Sequence, residues 1–305
     1  MQSLFKAIRK LAPKALRRWS KANRVLRKVT WLSCKNGLLP TDSNPLAGGK
    51  RSDTLFVLGN GSSVCDYGAH EWKSIANADS LGLNFWMLHP FVPSFYMTEI
   101  LKYPDDLVCE EHILYNLGKR CADYRASIIL IKDCEKYALE KCDRFFHLYP
   151  ETLKKNTRLL TDIEIVADDM LAFEAELSRL ERAHAFDGNR HSFPPRKRAS
   201  VFLACVLAAK AGYENIVLCG VDLNNSDYFY HEMSDEISAT GLRVPPNFQP
   251  GSKHKTNDPK YGEITISHAL DALDRIVLQP RGIKIFVASR SSALYPRFDE
   301  YFKGN

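Results

Sequence analysis

A chain of 305 residues, 45% of them hydrophobic, is long enough for one large domain with a buried core. The formal net charge is +6, and no run of about 18 apolar residues occurs, so no membrane-spanning helix is expected. Lys6, Arg9 and Lys10 break the first apolar stretch, which excludes a secretory signal, and the eight cysteines form no Cys-x-x-Cys pair, which reads as reduced cytosolic thiols without a structural zinc site.

Residues 1–40 hold eleven Lys and Arg residues and no Asp or Glu. Leu4, Ile8, Leu11, Trp19, Val25, Leu26 and Trp31 are interleaved at roughly helical spacing, with Pro13 as an interruption. A basic, amphipathic, aromatic segment of this kind is expected to lie on an anionic membrane surface. A solvated tail is the plainer alternative. No nucleic-acid fold signature accompanies the charge, so nucleic acid is not expected as a partner. Residues 41–53 are rich in Pro, Gly, Ser and Asn and read as a linker, which places the start of the main domain at Thr54.

Thr54 to Leu58 is a short apolar run that ends in Gly59-Asn60-Gly61-Ser62-Ser63. That pattern predicts a buried strand running into a tight loop, where glycines let the backbone approach a phosphate or sugar. The lysine of a P-loop and the full dinucleotide fingerprint are both missing. Further strands are expected at Ser80–Asn84, Phe95–Met97, Ser127–Lys132, Ile216–Gly220 and Ile283–Val287, with a weaker one at Arg144–Tyr149. Helical patterns cover Asp162–Ala185, Ser200–Ala211, closed by Gly212, and Ile264–Leu278. The alternation predicts an α/β fold: one Rossmann-like nucleotide-binding domain over 54–305 with a mainly parallel sheet. The polar stretch from about 224 to 260 reads as an active-site lid.

Four places follow strands or lie in the lid: the Gly59–Ser63 loop, Asn84, the Lys197-Arg198-Ala199-Ser200 segment, and Asp222 to Asp258. Together they resemble the bacterial sialyltransferases of glycosyltransferase family 42, which use CMP-sialic acid. That family opens with a strand and Gly-Asn-Gly-x-Ser, and carries an Asn after the second strand. A basic residue then precedes a Ser that starts an apolar helix, followed by Gly-Tyr, a strand and Gly-Ile-Asp. Here the counterparts are Gly212-Tyr213 and Gly220-Val221-Asp222. The lid counterparts are Pro246-Asn247-Phe248 and His254-Lys255-Thr256-Asn257-Asp258.

The resemblance implies a GT-A-like variant of the Rossmann arrangement and a single-displacement, inverting transfer to a glycan or glycolipid acceptor of lipopolysaccharide or capsule type. His254 would be the base, its ordinary pKa lying near working pH. Tyr228 and Tyr230 would donate to the leaving phosphate in place of a metal, although strict spacing puts the first family tyrosine on Asn224. Gly59, Asn60, Gly61, Ser62, Ser63, Asn84, Arg198, Ser200, Asp222 and Asn224 would bind the nucleotide and substrate. No metal or other cofactor is expected, since no Asp-x-Asp triad occurs. The implied setting is the cytoplasmic face of the inner membrane, with self-association of the chain left open. The alternatives are a CMP-Kdo-dependent transferase, a pterin diphosphokinase-like enzyme, and a non-catalytic nucleotide-binding module.

Overall fold

The structure, a computed structural model, describes residues 14–42, 44–101, 104–188, 190, 193–246 and 254–303. The chain starts with helix α1 (Lys14–Lys35) and continues through β1 (Thr54–Leu58), α2 (Ala69–Ala76), β2 (Asp79–Leu83), β3 (Phe95–Glu99) and α3 (Pro104–Lys119). Next come β4 (Ile128–Lys132), α4 (Leu139–Leu148), α5 (Glu151–Lys154), β5 (Thr157–Leu159), β6 (Ile163–Glu164) and α6 (Met170–Arg182). The last part contains β7 (Pro195–Arg196), α7 (Ser200–Ala211), β8 (Asn215–Cys219), α8 (Phe229–Glu232), α9 (Ser234–Ala239), α10 (Ile266–Leu273), β9 (Lys284–Val287) and β10 (Asp299–Glu300).

Eight strands form one parallel sheet in the order β10-β9-β8-β1-β2-β3-β4-β5, and β6 pairs with β7 apart from it. The strands are short apolar runs because a parallel sheet is covered on both faces. Alternate residues divide between two cores. Leu55, Val57, Leu81 and Met97 pack on the face covered by α7, while Phe56, Leu58, Tyr96 and Ile131 pack on the other. Helix α7 is buried along eleven residues from Ser200 to Lys210, which is why its sequence is apolar all round. Strand order runs outward from β1 to β5 on one side and from β8 to β10 on the other. The reversal between β1 and β8 opens a crevice at the carboxyl ends of these two strands.

Three local expectations change. The Arg144–Tyr149 stretch is part of helix α4, because Cys142, Phe145 and Phe146 bury one helical face at spacings of three and four. The helix expected from Asp162 starts only at Met170, where the Asp169 carboxylate accepts from the Ala172 amide at 2.7 Å as an N-cap. Before it, Ile163 and Glu164 pair with Pro195 and Arg196. The segment read as a linker is tied down: Leu46 is fully buried in the core, and the Asp79 carboxylate accepts from the Arg51 and Ser52 amides at 2.6 and 3.0 Å.

Helix α1 is amphipathic, as its pattern predicts, and its inner face belongs to the domain core. Val25, Val29 and Leu32 are buried with Phe145, Phe146 and Leu159, and the Leu39 amide donates to Thr157 O at 2.9 Å. Leu26 and Trp31 stay exposed on the outer face. The first thirteen residues of the expected membrane segment lie outside the described residues. Among the described residues no helix is long and apolar enough to cross a membrane.

The helix therefore contributes to stability. Leu32→Ala is expected to destabilise the domain by about 2–5 kcal/mol in urea denaturation, the usual range for a truncated core leucine. A change below about 0.5 kcal/mol would mean that α1 does not pack as described.

Candidate active site

The crevice between β1 and β8 is a cavity of about 450 Å³. Its floor is made by two loops in direct contact. The Gly59 amide donates to Cys219 O at 2.7 Å, and the Gly61 amide donates to Gly220 O at 2.8 Å. A Cβ on Gly59 would lie 2.5 Å from Gly220 O, and one on Gly61 would lie 2.3 Å from Asp222 Oδ2. Only glycine fits at either position, since real Cβ atoms do not approach so closely.

Asp222 explains the second half of the motif. Its Oδ1 accepts from the Ser63 hydroxyl at 2.6 Å and its Oδ2 from the Ser63 amide at 3.1 Å. Asp222 is buried, which pushes its pKa up, while the two Ser63 donors pull it down. Asp222 reaches the cavity, but both oxygens are engaged with Ser63, so the pair acts as a clamp between the two loops. Ser63 and Ser62 do not line the cavity; the Ser62 amide donates to Asp227 O at 3.1 Å. Asn224 also lies away from it, donating through Nδ2 to Ser291 O at 2.7 Å. These three residues therefore stand apart from the ligand-facing set expected from the motif.

Asn60 and Asn84 do face the cavity, and each has a buried Oδ1 without a hydrogen-bond partner. Buried polar atoms are normally satisfied, so two orphaned amide oxygens in one cavity indicate contacts that a ligand would complete. Asn84 follows β2 in the left-handed region, at φ +51°, and its carbonyl accepts from the Tyr96 hydroxyl. Asn tolerates that conformation better than most residues.

Ala199, Ser200 and Val201 line the opposite wall, where α7 begins. Ala199 is the N-cap and offers no side-chain cap to the first-turn amides. An uncapped helix start beside Ser200 is suited to an anionic group.

The basic residues before Ser200 do not reach this wall. Arg198 donates from Nε to Thr256 O at 3.1 Å, and from its terminal nitrogens to Tyr261 O at 2.8 Å, Asp258 O at 3.2 Å and Lys255 O at 3.5 Å. Arg198 thus pins the 255–261 segment and has no place in the nucleotide-facing set. Lys197 points the other way, donating to Ile165 O and Ala167 O at 3.2 and 3.3 Å. Gly262 leaves room for the Arg198 guanidinium, which a Cβ there would meet at 2.3 Å.

Tyr228 and Tyr230 enter the cavity stacked, with ring centroids 5.1 Å apart. An antiparallel bridge between Gly61 and Tyr228 and the Phe229 amide, which donates to Asn60 O at 3.0 Å, set them against the glycine loop. Burial pushes both phenol pKa values up, so the hydroxyls remain donors at neutral pH.

His254 lies 6.3 Å from Tyr228, edge to face. Its Nδ1 lies 2.8 Å from Thr256 Oγ1 and accepts from the Thr256 amide at 3.3 Å. Because Nδ1 accepts, the proton of the neutral ring sits on Nε2. Burial lowers the imidazole pKa below its usual 6.5, which favours the neutral ring. In the 224–260 segment Phe229, Tyr230 and Ile237 are buried, whereas Asn247 and Phe248 lie outside the described residues.

One part of the wall was not expected from the sequence. Glu99, Leu101, Cys109 and Ile113 extend the cavity from the end of β3 to the middle of α3. Glu99 pairs with Lys132, and Asp133, Arg196 and Asp162 continue the charge chain behind it. The available signal was a charged residue at the end of each of two apolar strands, Glu99 and Lys132. Among the described residues no group of three or more His, Cys, Asp and Glu could hold a metal ion.

No family model and no curated protein matches the chain. Among solved structures, the chain is similar to the monofunctional alpha-2,3-sialyltransferase Cst-I from Campylobacter jejuni, with 16% identity over 82% of this chain and 80% of that one, at a TM-score of 0.45. It is also similar to a variant of the sialyltransferase Cst-II in complex with CMP, with 14% identity over 80% of this chain and 85% of that one, at a TM-score of 0.41.

Arg198 gives a direct test of the site's construction. Arg198→Ala is expected to speed hydrogen exchange at residues 255–261 by at least tenfold while the sheet amides keep their protection, since each lost hydrogen bond contributes roughly 1 kcal/mol. Unchanged exchange there would show that the segment is held by other contacts.

Proposed function

We propose that the protein is a glycosyltransferase that moves sialic acid from a CMP donor to a surface-glycan acceptor. The single observation that carries this reading is the meeting, in one cavity, of the orphaned Asn60 and Asn84 amides, the uncapped start of α7, two phenols and a near-neutral imidazole. The order of these motifs along the chain supports the same assignment.

The nucleotide sits over Gly59–Gly61, with Asn60 and Asn84 completing their amide contacts on it. Its phosphate faces the α7 start at Ser200 and the hydroxyls of Tyr228 and Tyr230. The acceptor hydroxyl attacks the anomeric carbon from the side opposite the phosphate. As the new carbon–oxygen bond forms, the bond to the phosphate oxygen breaks and CMP leaves with that electron pair. The His254 imidazole takes the proton from the acceptor hydroxyl. Configuration inverts in this single displacement. The phenols stabilise the charge that develops on the phosphate, a role that needs fixed donors rather than a cation.

His254→Ala is expected to lower turnover by about 100- to 10,000-fold, the usual contribution of a general base, with CMP affinity nearly unchanged. Wild-type turnover should hold from neutral pH down to about 6.5 and fall below that, because protonation of His254 removes the base and its pKa lies under the ordinary value. Near-normal turnover of the variant, measured as CMP release with acceptor, would exclude His254 as the base.

We also place the outer face of α1, with exposed Arg24, Arg27 and Trp31, against an anionic membrane that presents a lipid-linked acceptor. Each basic residue near such a surface contributes about 1 kcal/mol. Arg24→Glu combined with Arg27→Glu should therefore weaken sedimentation with phosphatidylglycerol vesicles by roughly tenfold or more. Equal sedimentation of wild type and variant would remove α1 from membrane binding.

A further inference from the structure

Two carboxylates line the cavity among the described residues, and they differ in kind. Asp222 is occupied by Ser63 through both oxygens. Glu99 keeps 25% of its side chain accessible and faces the cavity, while its partner Lys132, 7% accessible, lies behind it. Lys132 is 3.4 Å from Asp133, and Asp133 also meets Lys136 at 2.9 Å and Arg196 at 3.2 Å. Burial, helped by the neighbouring Asp133, raises the Glu99 carboxyl above its usual range although the Lys132 ammonium pulls it down, and the surrounding carboxylates hold Lys132 charged.

Buried ion networks are close to neutral for stability when compared with apolar packing of the same volume. Stability alone therefore does not account for this one. Its structural effect is to fix one carboxyl at the wall of a cavity, in the way that supporting contacts fix a recognition group.

The position of Glu99 is informative. It ends β3, two strands from β1, which is about 10 Å from the glycine loop. Tyr230, the partner of the stacked Tyr228, packs on Phe85 in the same wall after β2. Leu101, Cys109 and Ile113, which follow β3 in the chain, line the same cavity and are largely apolar. A phosphate or an acidic sugar is disfavoured beside Glu99, so this end of the cavity suits the uncharged partner of the reaction. A carboxylate can accept from two neighbouring hydroxyls of a sugar ring, and the apolar wall can cover its C–H face.

Resting on the transferase reading above, we propose that Glu99 selects the acceptor: it binds hydroxyls of an uncharged terminal sugar and disfavours one that carries a carboxylate. Recognition of this kind combines an attractive contact with a repulsive one.

The test compares transfer to neutral glucosides, galactosides and mannosides with transfer to the matching uronides, which differ by one carboxylate. Wild type should prefer a neutral glycoside to its uronide by at least tenfold in kcat/KM. Glu99→Gln should shrink that ratio at least tenfold, while Glu99→Asp, which keeps the charge, should retain it. Donor hydrolysis without acceptor and the Kd for CMP should stay within twofold in both variants, which also shows that they are folded. An unchanged ratio in Glu99→Gln overturns the proposal. So does wild-type preference for a uronide, or absence of transfer to every neutral glycoside by protein that still hydrolyses the donor. Failure of wild type to bind CMP at all would instead overturn the transferase reading on which the proposal rests.

Discussion

The contact between the β1 and β8 loops is the constraint on which the site depends. Gly59 and Gly61 hydrogen-bond to Cys219 and Gly220, so two chain segments more than 150 residues apart in sequence meet backbone to backbone. Neither glycine position has space for a Cβ, and Asp222 fastens the arrangement through Ser63. Once this contact is made, the remaining parts have little freedom. The bridge from Gly61 aligns Tyr228, the Asn60 carbonyl holds Phe229, and the tyrosine pair follows. The parallel sheet supplies the rigid frame, because β1 pairs with β8 along its whole length and with β2 from Leu55 to Leu58.

Left-handed backbone and unpartnered oxygens are both found at this cavity. Asn84 and Leu223 hold left-handed backbone on its lining, and Arg198 does so where the chain enters α7. Such positions cost of order 1–3 kcal/mol each and persist only where surrounding structure enforces them. The unpartnered oxygens of Asn60 and Asn84 add a further penalty. Burial acts in the same direction on chemistry: it keeps the tyrosines protonated and the His254 ring neutral. Burial and local strain thus meet at one wall of the molecule, where surrounding packing must hold them in place.

Much of the frame was readable from the sequence because its signals are local. Apolar runs such as Ser127–Lys132 and the buried helix Ser200–Ala211 are near their observed limits. The misread parts depend on partners far away in sequence. Arg144–Tyr149 has the composition of a strand, and only the packing of Phe145 and Phe146 against α1 and β5 decides for a helix. The segment before β1 has the composition of a linker, yet Asp79 anchors it through backbone amides that no motif encodes. At the site, Gly59, Asn60, Gly61, Asn84, Ser200, Asp222, Tyr228, Tyr230 and His254 line the cavity as the order of motifs suggested. Ser63 and Arg198 belong to the motifs but act behind the surface. Glu99 belongs to no motif, and its position follows only from strand order.

Arg198 shows why a motif residue need not face a ligand. A guanidinium beside the start of α7 could neutralise a phosphate, and sequence position alone favours that role. In the fold, its left-handed backbone turns the side chain under the 255–261 segment, where carbonyls surround it. The Asp258 carbonyl also accepts from the Tyr261 amide at 3.1 Å, and Arg198 gathers it with the Thr256 and Tyr261 carbonyls, so one multivalent donor ties the two short helices together. The consequence reaches the chemistry, because the segment begins at His254, and Thr256, whose hydroxyl orients the imidazole, gives its own carbonyl to Arg198. The positive charge next to Ser200 therefore works through geometry. It fixes the segment that carries His254 and leaves the cavity wall at the start of α7 to the uncharged Ala199, Ser200 and Val201.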